Sequence, residues 1–135
     1  MSLVVDASVA VKWVSESPGW QAAGELIGRD TLMAPDLIWP ECGNALWRYV
    51  GAGLMGAEQA RQGLTTIGCL FDRVVPTGPL MEDALALACR LKHPVYDCVY
   101  LALARSLGSK LVTADRKLVA RLAETDLAGL AENLI

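Results

Sequence analysis

Four carboxylates stand at the points where apolar segments of the chain begin or end. Asp6 follows the first apolar run, and Asp115 follows the later run KLVT, while Glu41 and Asp97 stand near the starts of two stretches with helical periodicity. Because ligand sites of α/β proteins form beyond the carboxyl ends of parallel strands, we expect the two strand-end acids to project toward one edge of a sheet. Like charges within a few ångströms repel each other, and a bound cation would relieve that repulsion.

A cluster of carboxylates without a nearby histidine favours Mg²⁺ or Mn²⁺ over zinc, because hard cations prefer oxygen ligands. Thr113 and Ser8 could add hydroxyl contacts to the ligands or to bound water. Metal ions in such sites hold a phosphodiester, lower the pKa of the attacking water and stabilise the leaving oxygen. The pattern therefore predicts metal-dependent hydrolysis of a phosphodiester.

Basic residues near the predicted site could hold an anionic substrate. The candidates are Arg116, Lys117, Lys12 and Lys92. Each of them also fits an ordinary solvated surface charge, so the sequence does not decide which of them contacts substrate.

Each acid also has a structural explanation when it is taken alone. Asp6 and Asp115 precede helices and could serve as N-caps, whose side chains accept hydrogen bonds from the first amides of the helix. Glu41 could be an acid of a first helical turn, where the helix dipole favours negative charge. Asp97 is costly to bury unless a positive or hydrogen-bonding group meets it. The metal-site interpretation rests on all four occurring together.

Apolar runs alternate with helical patterns along the chain, which predicts an α/β fold with a mostly parallel sheet. The predicted strands are Leu3–Val5, Thr31–Ala34, Asp72–Val75 and Lys110–Thr113. The predicted helices are Asp6–Val14, Ser17–Gly28, Asp36–Gly51, Ala57–Leu70, Pro79–Lys92, Val95–Leu107 and Arg116–Val119, and the segment Asp126–Ile135 is left unassigned.

Two of the predicted helices have features that bear on the site. The stretch Val95–Leu107 is apolar on almost every side, which is typical of a central helix packed against several neighbours. Pro40 lies inside the predicted helix Asp36–Gly51, so this helix either begins near Trp39 or is kinked there. With the next helix, it forms a hairpin around a glycine-rich turn.

The composition limits the class of protein. The chain has 135 residues, of which 53% are hydrophobic and 20% charged, and we expect a single domain, residues 1–135. No apolar run reaches the length of a membrane span, so we expect the apolar surplus to cover a partner surface. The net charge of −3 argues against a coat of cations for non-specific nucleic-acid binding, but it does not exclude a nucleic-acid enzyme.

The start of the chain and its cysteines bear on where the protein acts. The segment MSLVVDAS lacks the basic flank and apolar core of a signal peptide, so a cytoplasmic protein is expected. The four cysteines show no CxxC spacing, which favours structural thiols over zinc ligands or disulfides.

Four short motifs together resemble the PIN-domain proteins of the VapC toxin type. The motifs are VVDAS at Val4–Ser8, PECGNALW at Pro40–Trp47, YDCVYLALA at Tyr96–Ala104 and VTADRKL at Val112–Leu118. They span nearly the whole chain in the order and spacing of that family, and the ordered set is more specific than any one motif. The resemblance implies a three-layer α/β/α sandwich with a mostly parallel central sheet.

The resemblance also implies a function and a set of site residues. It implies that Asp6, Glu41, Asp97 and Asp115 bind Mg²⁺ or Mn²⁺, with Thr113 in support, and that Asn44 orients the glutamate. It further implies a ribonuclease toxin that cuts RNA until a cognate antitoxin covers its site. Homodimers are common in this family, and the helical hairpin 36–70 is where an antitoxin tail would dock. The antitoxin would then cover part of the apolar surplus, including Trp39 and Trp47.

Two other classes remain as alternatives. A receiver-like phospho-acceptor domain is also an α/β protein that holds Mg²⁺ with acids, but it needs an aspartate after a central strand, and Pro76-Thr77 follow Asp72–Val75. A catalytically silent RNA-binding or protein-binding module would share the motifs without turnover. A phosphatase with an aspartyl nucleophile would want an acid at the position of Ser8.

Overall fold

Five short parallel strands form the centre of the computed structural model, which describes the whole chain from Met1 to Ile135. The strands are β1 (Ser2–Val5), β2 (Thr31–Pro35), β3 (Arg73–Val75), β4 (Lys110–Thr113) and β5 (Ala131–Asn133). They are arranged in the order β3-β2-β1-β4-β5, and every neighbouring pair is parallel. The predicted parallel sheet is therefore confirmed.

Seven helices cover this sheet and complete a three-layer α/β/α arrangement. They are α1 (Ala7–Ala10), α2 (Trp20–Glu25), α3 (Ile38–Gly51), α4 (Ala57–Leu70), α5 (Met81–Leu91), α6 (Val95–Ser106) and α7 (Arg116–Ala123). Short 3-10 turns follow α1 at Val11–Trp13 and precede α5 at Gly78–Leu80. None of the helices combines the length and the apolar composition that crossing a membrane would require.

Helix α6 is the central helix that its sequence predicts. It packs against α5 and against the strands β1, β2 and β4. All residues from Cys98 to Ala104 are buried, which explains why nearly every side of this helix is apolar. Asp97, in its first turn, is thereby held at a fixed place beside the sheet.

The helix predicted over Ser17–Gly28 is shorter in the structure, where α2 begins at Trp20 and ends at Glu25. Gly19 precedes it with a φ of 91°, a left-handed conformation that glycine adopts without steric cost. The Ser-Pro pair therefore lies in the turn before the helix, and the prediction that it starts the helix is wrong.

Helix α3 begins at Ile38, which decides between the two explanations of Pro40. The proline is the third residue of the helix, where a missing amide proton breaks no intrahelical hydrogen bond. Asp36 lies outside the helix, and its Oδ1 accepts hydrogen bonds from the amide nitrogen of Thr77 at 3.0 Å and from its hydroxyl at 2.6 Å. The sequence predicts that Asp36 begins the helix, but in the structure it connects the start of α3 to the loop after β3.

The C-terminal segment contains a strand that the sequence does not predict. In β5, Ala131 pairs with Leu111 and Asn133 with Thr113 of β4, although alanine, glutamate and asparagine are poor strand formers. Pairing with the edge of an existing sheet determines this strand. Helix α7 also runs beyond the predicted Val119, to Ala123.

Candidate active site

The site lies where the chain changes direction across the sheet. Strand β1 has β2 on one side and β4 on the other, so the crevice beyond their carboxyl ends is a topological switch point, where ligands of α/β proteins bind. Val5 of β1 pairs with Val112 of β4, and this register places the next residues, Asp6 and Thr113, side by side.

Asp6 is buried and is surrounded by hydrogen-bond donors. Its Oδ2 accepts from the Thr113 hydroxyl at 2.6 Å, and its Oδ1 accepts from the Ser8 hydroxyl at 2.5 Å and from the Val9 amide at 3.3 Å. The contact with Val9 makes Asp6 the N-cap of α1. The capping role and the place in the acidic site therefore coexist, and they do not exclude each other.

Burial and neighbouring charge make two of the carboxylates hard to ionise. Burial raises the pKa of Asp6 to about 6, against the opposing effect of the hydroxyls of Ser8 and Thr113, and the charge of Asp97 adds to the rise. Burial also raises the pKa of Glu41, where the Tyr100 hydroxyl opposes the shift and the charge of Asp97 again adds to it. Asp97 thus lies close enough to both acids for its charge to affect them.

Glu41 is oriented by a tyrosine that sequence analysis missed. The hydroxyl of Tyr100, a residue of α6 that is 1% exposed, donates a hydrogen bond of 2.5 Å to Oε1 of Glu41. Asn44 lines a cleft together with Glu41 but makes no side-chain hydrogen bond to it, so no contact supports the expectation that Asn44 orients Glu41. A buried tyrosine hydroxyl needs a partner, and this need was the available clue.

Asp97 has a histidine beside it. The Nε2 atom of His93 lies 2.6 Å from Oδ2 of Asp97, one helical turn away. Ligand atoms of His93, Asp97 and Asp115 all lie within 4.8 Å of one another. The expectation of an all-oxygen cluster without a nearby histidine is therefore wrong, although the spacing of four residues in the sequence could have revealed the pair.

Asp115 combines a capping role with a free oxygen. Its Oδ1 accepts hydrogen bonds from the amides of Lys117 at 3.0 Å and Leu118 at 3.2 Å, which caps α7. Its own amide donates to Oγ1 of Thr113 at 3.1 Å, so Thr113 links Asp115 to Asp6. The other carboxylate oxygen of Asp115 accepts no hydrogen bond and is free for a ligand.

Comparison with known proteins identifies the family. Residues 3–124 match the family model described as the PIN domain. The chain belongs to the PIN-domain family. It is 36% identical over 121 residues to Ribonuclease VapC3 of Pyrobaculum aerophilum, which covers 87% of this chain and 92% of that protein.

Solved structures confirm the PIN fold. A crystal structure from Pyrobaculum aerophilum is similar with a TM-score of 0.73 and 28% identity, over 99% of this chain and 84% of that one. A toxin-antitoxin complex from Klebsiella pneumoniae has a TM-score of 0.72 at 16% identity, over 98% of both chains, and shows likeness of fold alone. The resemblance to VapC-type PIN-domain proteins is thus confirmed, and the receiver-like alternative is excluded.

The residues of this PIN site are suited to a divalent cation. One oxygen each of Glu41, Asp97 and Asp115 accepts no hydrogen bond, while hydroxyl donors hold Asp6. Burial raises the pKa values of Asp6 and Glu41 and the charge of Asp97 adds to both rises, so a bound cation would favour the ionised form of each carboxylate. Carboxylate oxygens are ordinary ligands of divalent cations, so the donor set fits a metal ion.

A cleft of about 530 Å³ lies beside the acids. Its walls include Glu41, Lys12 and Arg48, together with Tyr96, which is 61% exposed. The Nζ of Lys12 donates a hydrogen bond of 2.7 Å to the carbonyl of Pro18. The cleft therefore places cationic and aromatic side chains next to the acidic site.

The other three basic candidates do not line this cleft. Arg116 donates from its guanidinium to the carbonyl of Ile135 at 3.0 Å, and Lys117 is exposed on α7. Lys92 ends α5 with a φ of 54°, in the left-handed region. Of the four cations proposed from sequence, only Lys12 lines the cleft that contains Glu41.

Proposed function

We propose that this PIN-domain protein is a metal-dependent endoribonuclease that hydrolyses RNA phosphodiester bonds and acts as the toxin of a toxin-antitoxin pair. The observation that supports the proposal most is that Asp6 and Asp115 share the Thr113 hydroxyl beyond β1 and β4. The charge of Asp97 acts on both Asp6 and Glu41, and a ligand atom of Asp97 lies within 4.8 Å of one of Asp115. Relatives that are at least 30% identical are named ribonucleases, which supports the reaction class.

The four acids would hold Mg²⁺ or Mn²⁺. Thr113, which contacts both Asp6 and Asp115, would fix the positions of these two residues relative to each other. A divalent ion in such a site lowers the pKa of an attacking water and offsets the charge that develops on the leaving oxygen. Tyr100 orients Glu41, and the hydroxyls of Ser8 and Thr113 orient Asp6. Orientation by fixed donors matters because a carboxylate that rotates freely loses entropy on binding the ion.

The neighbouring cleft is suited to single-stranded RNA. Lys12 and Arg48 could approach phosphates, and the exposed ring of Tyr96 offers a surface on which a base could stack. Base stacking and a few cations can hold a single strand without a large positive surface, which is compatible with the net charge of −3. Cytoplasmic RNA is the proposed substrate pool.

The test of this function uses purified protein and RNA. Cleavage is expected in Mg²⁺ or Mn²⁺ and should stop when a chelator removes the metal. Asp97→Asn should lower the cleavage rate by about 10³-fold or more, because a ligand charge beside the reacting phosphate is lost. Asp83→Asn, an exposed acid of α5, is the matched control and should cleave normally.

Activity that persists in EDTA would contradict the metal mechanism. Undiminished cleavage by Asp97→Asn would show that the Asp97 carboxylate is not needed for catalysis and has only a structural role. Folded protein that binds metal but cleaves no RNA would favour the catalytically silent module.

The hairpin formed by α3 and α4, within residues 36–70, is the proposed antitoxin site. Trp47 is 68% and Leu54 71% exposed on it, whereas Trp39 is 37% exposed and packs partly against Gly68 of α4. A cleft of about 740 Å³ with both apolar and polar walls adjoins the hairpin, and Trp13, Trp20 and Met55 are among its apolar lining residues. Such exposed aromatic surface is typical of an unoccupied interface.

Co-expression tests the antitoxin site. A small protein encoded next to this chain should co-purify with it and inhibit its RNA cleavage, and Trp47→Arg should weaken that complex without changing cleavage by the free enzyme. Co-purification unaffected by the substitution would place the interface elsewhere. The proposed homodimer is checked separately by the mass of the free protein in solution.

A further inference from the structure

His93 is held from both sides of its ring. Its Nε2 lies 2.6 Å from Oδ2 of Asp97, and its Nδ1 lies 3.0 Å from Nη1 of Arg121 on α7. The same Nη1 of Arg121 donates to the carbonyl of Lys92 at 2.8 Å. Because Nη1 carries two hydrogens, it can make both contacts at once.

These contacts select one protonation pattern of the ring. A guanidinium has only donors, so Nδ1 of His93 must accept the hydrogen bond from Arg121 and carries no hydrogen. The hydrogen of the neutral ring is then on Nε2, where it is donated to Asp97. The other tautomer would set an N–H of the ring against an N–H of Arg121 and two lone pairs against each other at Asp97.

The tautomer of His93 matters because it decides whether Nε2 could bind a metal ion. A ring nitrogen of His93 belongs to a group of three ligand atoms, with oxygens of Asp97 and Asp115, that lie within 4.8 Å of one another, and Nε2 is the nitrogen that lies 2.6 Å from Asp97. An imidazole nitrogen without hydrogen at that place would be a metal ligand, and imidazole favours zinc and other transition metals over Mg²⁺. A nitrogen that carries hydrogen cannot bind the ion.

We propose that Arg121 locks His93 in the Nε2–H tautomer, so that His93 acts as a positioning residue for Asp97 and stays outside the coordination shell of the metal. The inference rests on the proposed metal-dependent function and deepens it. His93 occupies one oxygen of Asp97 and leaves the other, Oδ1, for the ion. Arg121 thereby favours an oxygen-rich site for Mg²⁺ or Mn²⁺ over a histidine-containing site for zinc.

Three separate segments build this arrangement. The end of α5 turns through the left-handed conformation of Lys92, which brings its carbonyl toward Arg121. His93 follows directly and is only 9% exposed, whereas Asp97 is 33% exposed. Arg121 reaches the ring from α7, the helix that Asp115 caps. The lock therefore connects the two helices whose acids stand beside His93.

Nitrogen-15 NMR of the imidazole tests the lock directly, because His93 is the only histidine in the chain. The metal-free wild type, at a pH where the ring is neutral, should show a hydrogen on Nε2 and a pyridine-like Nδ1. Arg121→Met should move the ring toward a mixture of tautomers. Arg105→Met, an exposed arginine of α6, is the matched control and should leave the histidine spectrum unchanged.

Metal affinities measured by competition with a coloured chelator give the second readout. Arg121→Met should raise the ratio of Zn²⁺ to Mn²⁺ affinity by about tenfold, as expected for a lost outer-shell contact. Adding His93→Gln to that variant should abolish the gain, because the new ligand is then removed.

The spectrum of the metal-free wild type decides the inference whatever the nuclease assays show. A hydrogen on Nδ1, or a tautomer unchanged in Arg121→Met, would overturn the lock. An unchanged Zn²⁺ to Mn²⁺ ratio in Arg121→Met would overturn its role in metal preference. An Nε2–H ring in a protein that binds no Mn²⁺ would support the lock and contradict the metal-dependent function.

Discussion

The two sides of the acidic site orient a carboxylate by different means. On the sheet side, Asp6 is buried and receives hydroxyl hydrogen bonds from Ser8, in the first turn of α1, and from Thr113, the last residue of β4. On the helix side, Asp97 is one-third exposed and is held by His93, which in turn contacts Arg121. Strand register and the turn into α1 fix the first arrangement, whereas the second depends on the packing of three helices.

The comparison shows on which side of the site an ionised carboxylate lowers the stability of the folded chain. Burial on the sheet side raises the pKa of Asp6 to about 6, so the ionised site is costly for the folded chain when no cation is present. On the helix side, Asp97 has more access to water, and a substitution of Arg121 changes the hydrogen bonds of His93, which contacts Asp97. Substitutions on the sheet side should therefore change stability and pH dependence, and those on the helix side should change metal preference and activity.

The largest effect on stability is expected from the charge of Asp6. Between about pH 4 and 6 the unfolded chain has lost this proton while the folded chain retains it, so the free energy of unfolding falls as pH rises. The folded pKa of about 6 against the usual value of 3.8 corresponds to about 3 kcal/mol of stability, which is fully lost above the folded pKa. Asp6→Asn should remove this loss and stabilise the metal-free protein at about pH 8 by up to that amount.

Denaturant unfolding in EDTA at about pH 5 and about pH 8 measures this difference for wild type and variant. Mn²⁺ should stabilise the wild type at the higher pH and should stabilise Asp6→Asn far less. A wild-type protein whose stability does not fall over this range would show that the sheet-side charge is already compensated within the fold.

Loss of the hydroxyl of Thr113 should have the next largest effect. Thr113→Val leaves Oδ2 of Asp6 and the amide of Asp115 without this buried partner, and should cost about 2 kcal/mol of unfolding free energy. The cleavage rate should fall by about 10–100-fold, as for other residues that orient a metal ligand. Thr65→Val, at an exposed position of α4, is the matched control for thermal unfolding and RNA cleavage. Equal effects of the two substitutions would show that Thr113 does not link Asp6 to Asp115.

The smallest effect is expected at Tyr100 on the helix side. Tyr100→Phe removes the hydrogen bond that opposes the raised pKa of Glu41, so that pKa should rise further. The acidic limb of the profile of kcat/KM against pH should then move to higher pH, with a loss of about 1 kcal/mol in stability. A lower rate with an unmoved pH profile would indicate a packing role for the hydroxyl and no electrostatic one.

Local pattern in the sequence was enough for most of the framework. The apolar runs that became β1, β2, β3 and β4 are short and bounded by polar or turn residues, so their strands are predictable from neighbours in the chain. The acids Asp6 and Asp115 follow two of those runs, and parallel pairing then brings them to the same edge. The all-round apolar pattern of α6 likewise predicted its central place.

Contacts between distant segments could not be predicted in the same way. Strand β5 forms because the edge of β4 offers backbone partners, and its own residues favour other conformations. Tyr100 meets Glu41 across 59 positions of the chain, and Arg121 meets His93 across 28. A motif records which side chains are present at fixed spacing, but not which side chains another helix brings to them.

The sequence by itself determined a parallel α/β sheet with acids beyond its strand ends, because strand periodicity and the position of a carboxylate after a strand are local properties. Only the tertiary structure decided how each carboxylate is held and which of its oxygens stays free. Hydrogen-bond geometry depends on the register of strands and the packing of helices, and both are set by the burial of the whole core.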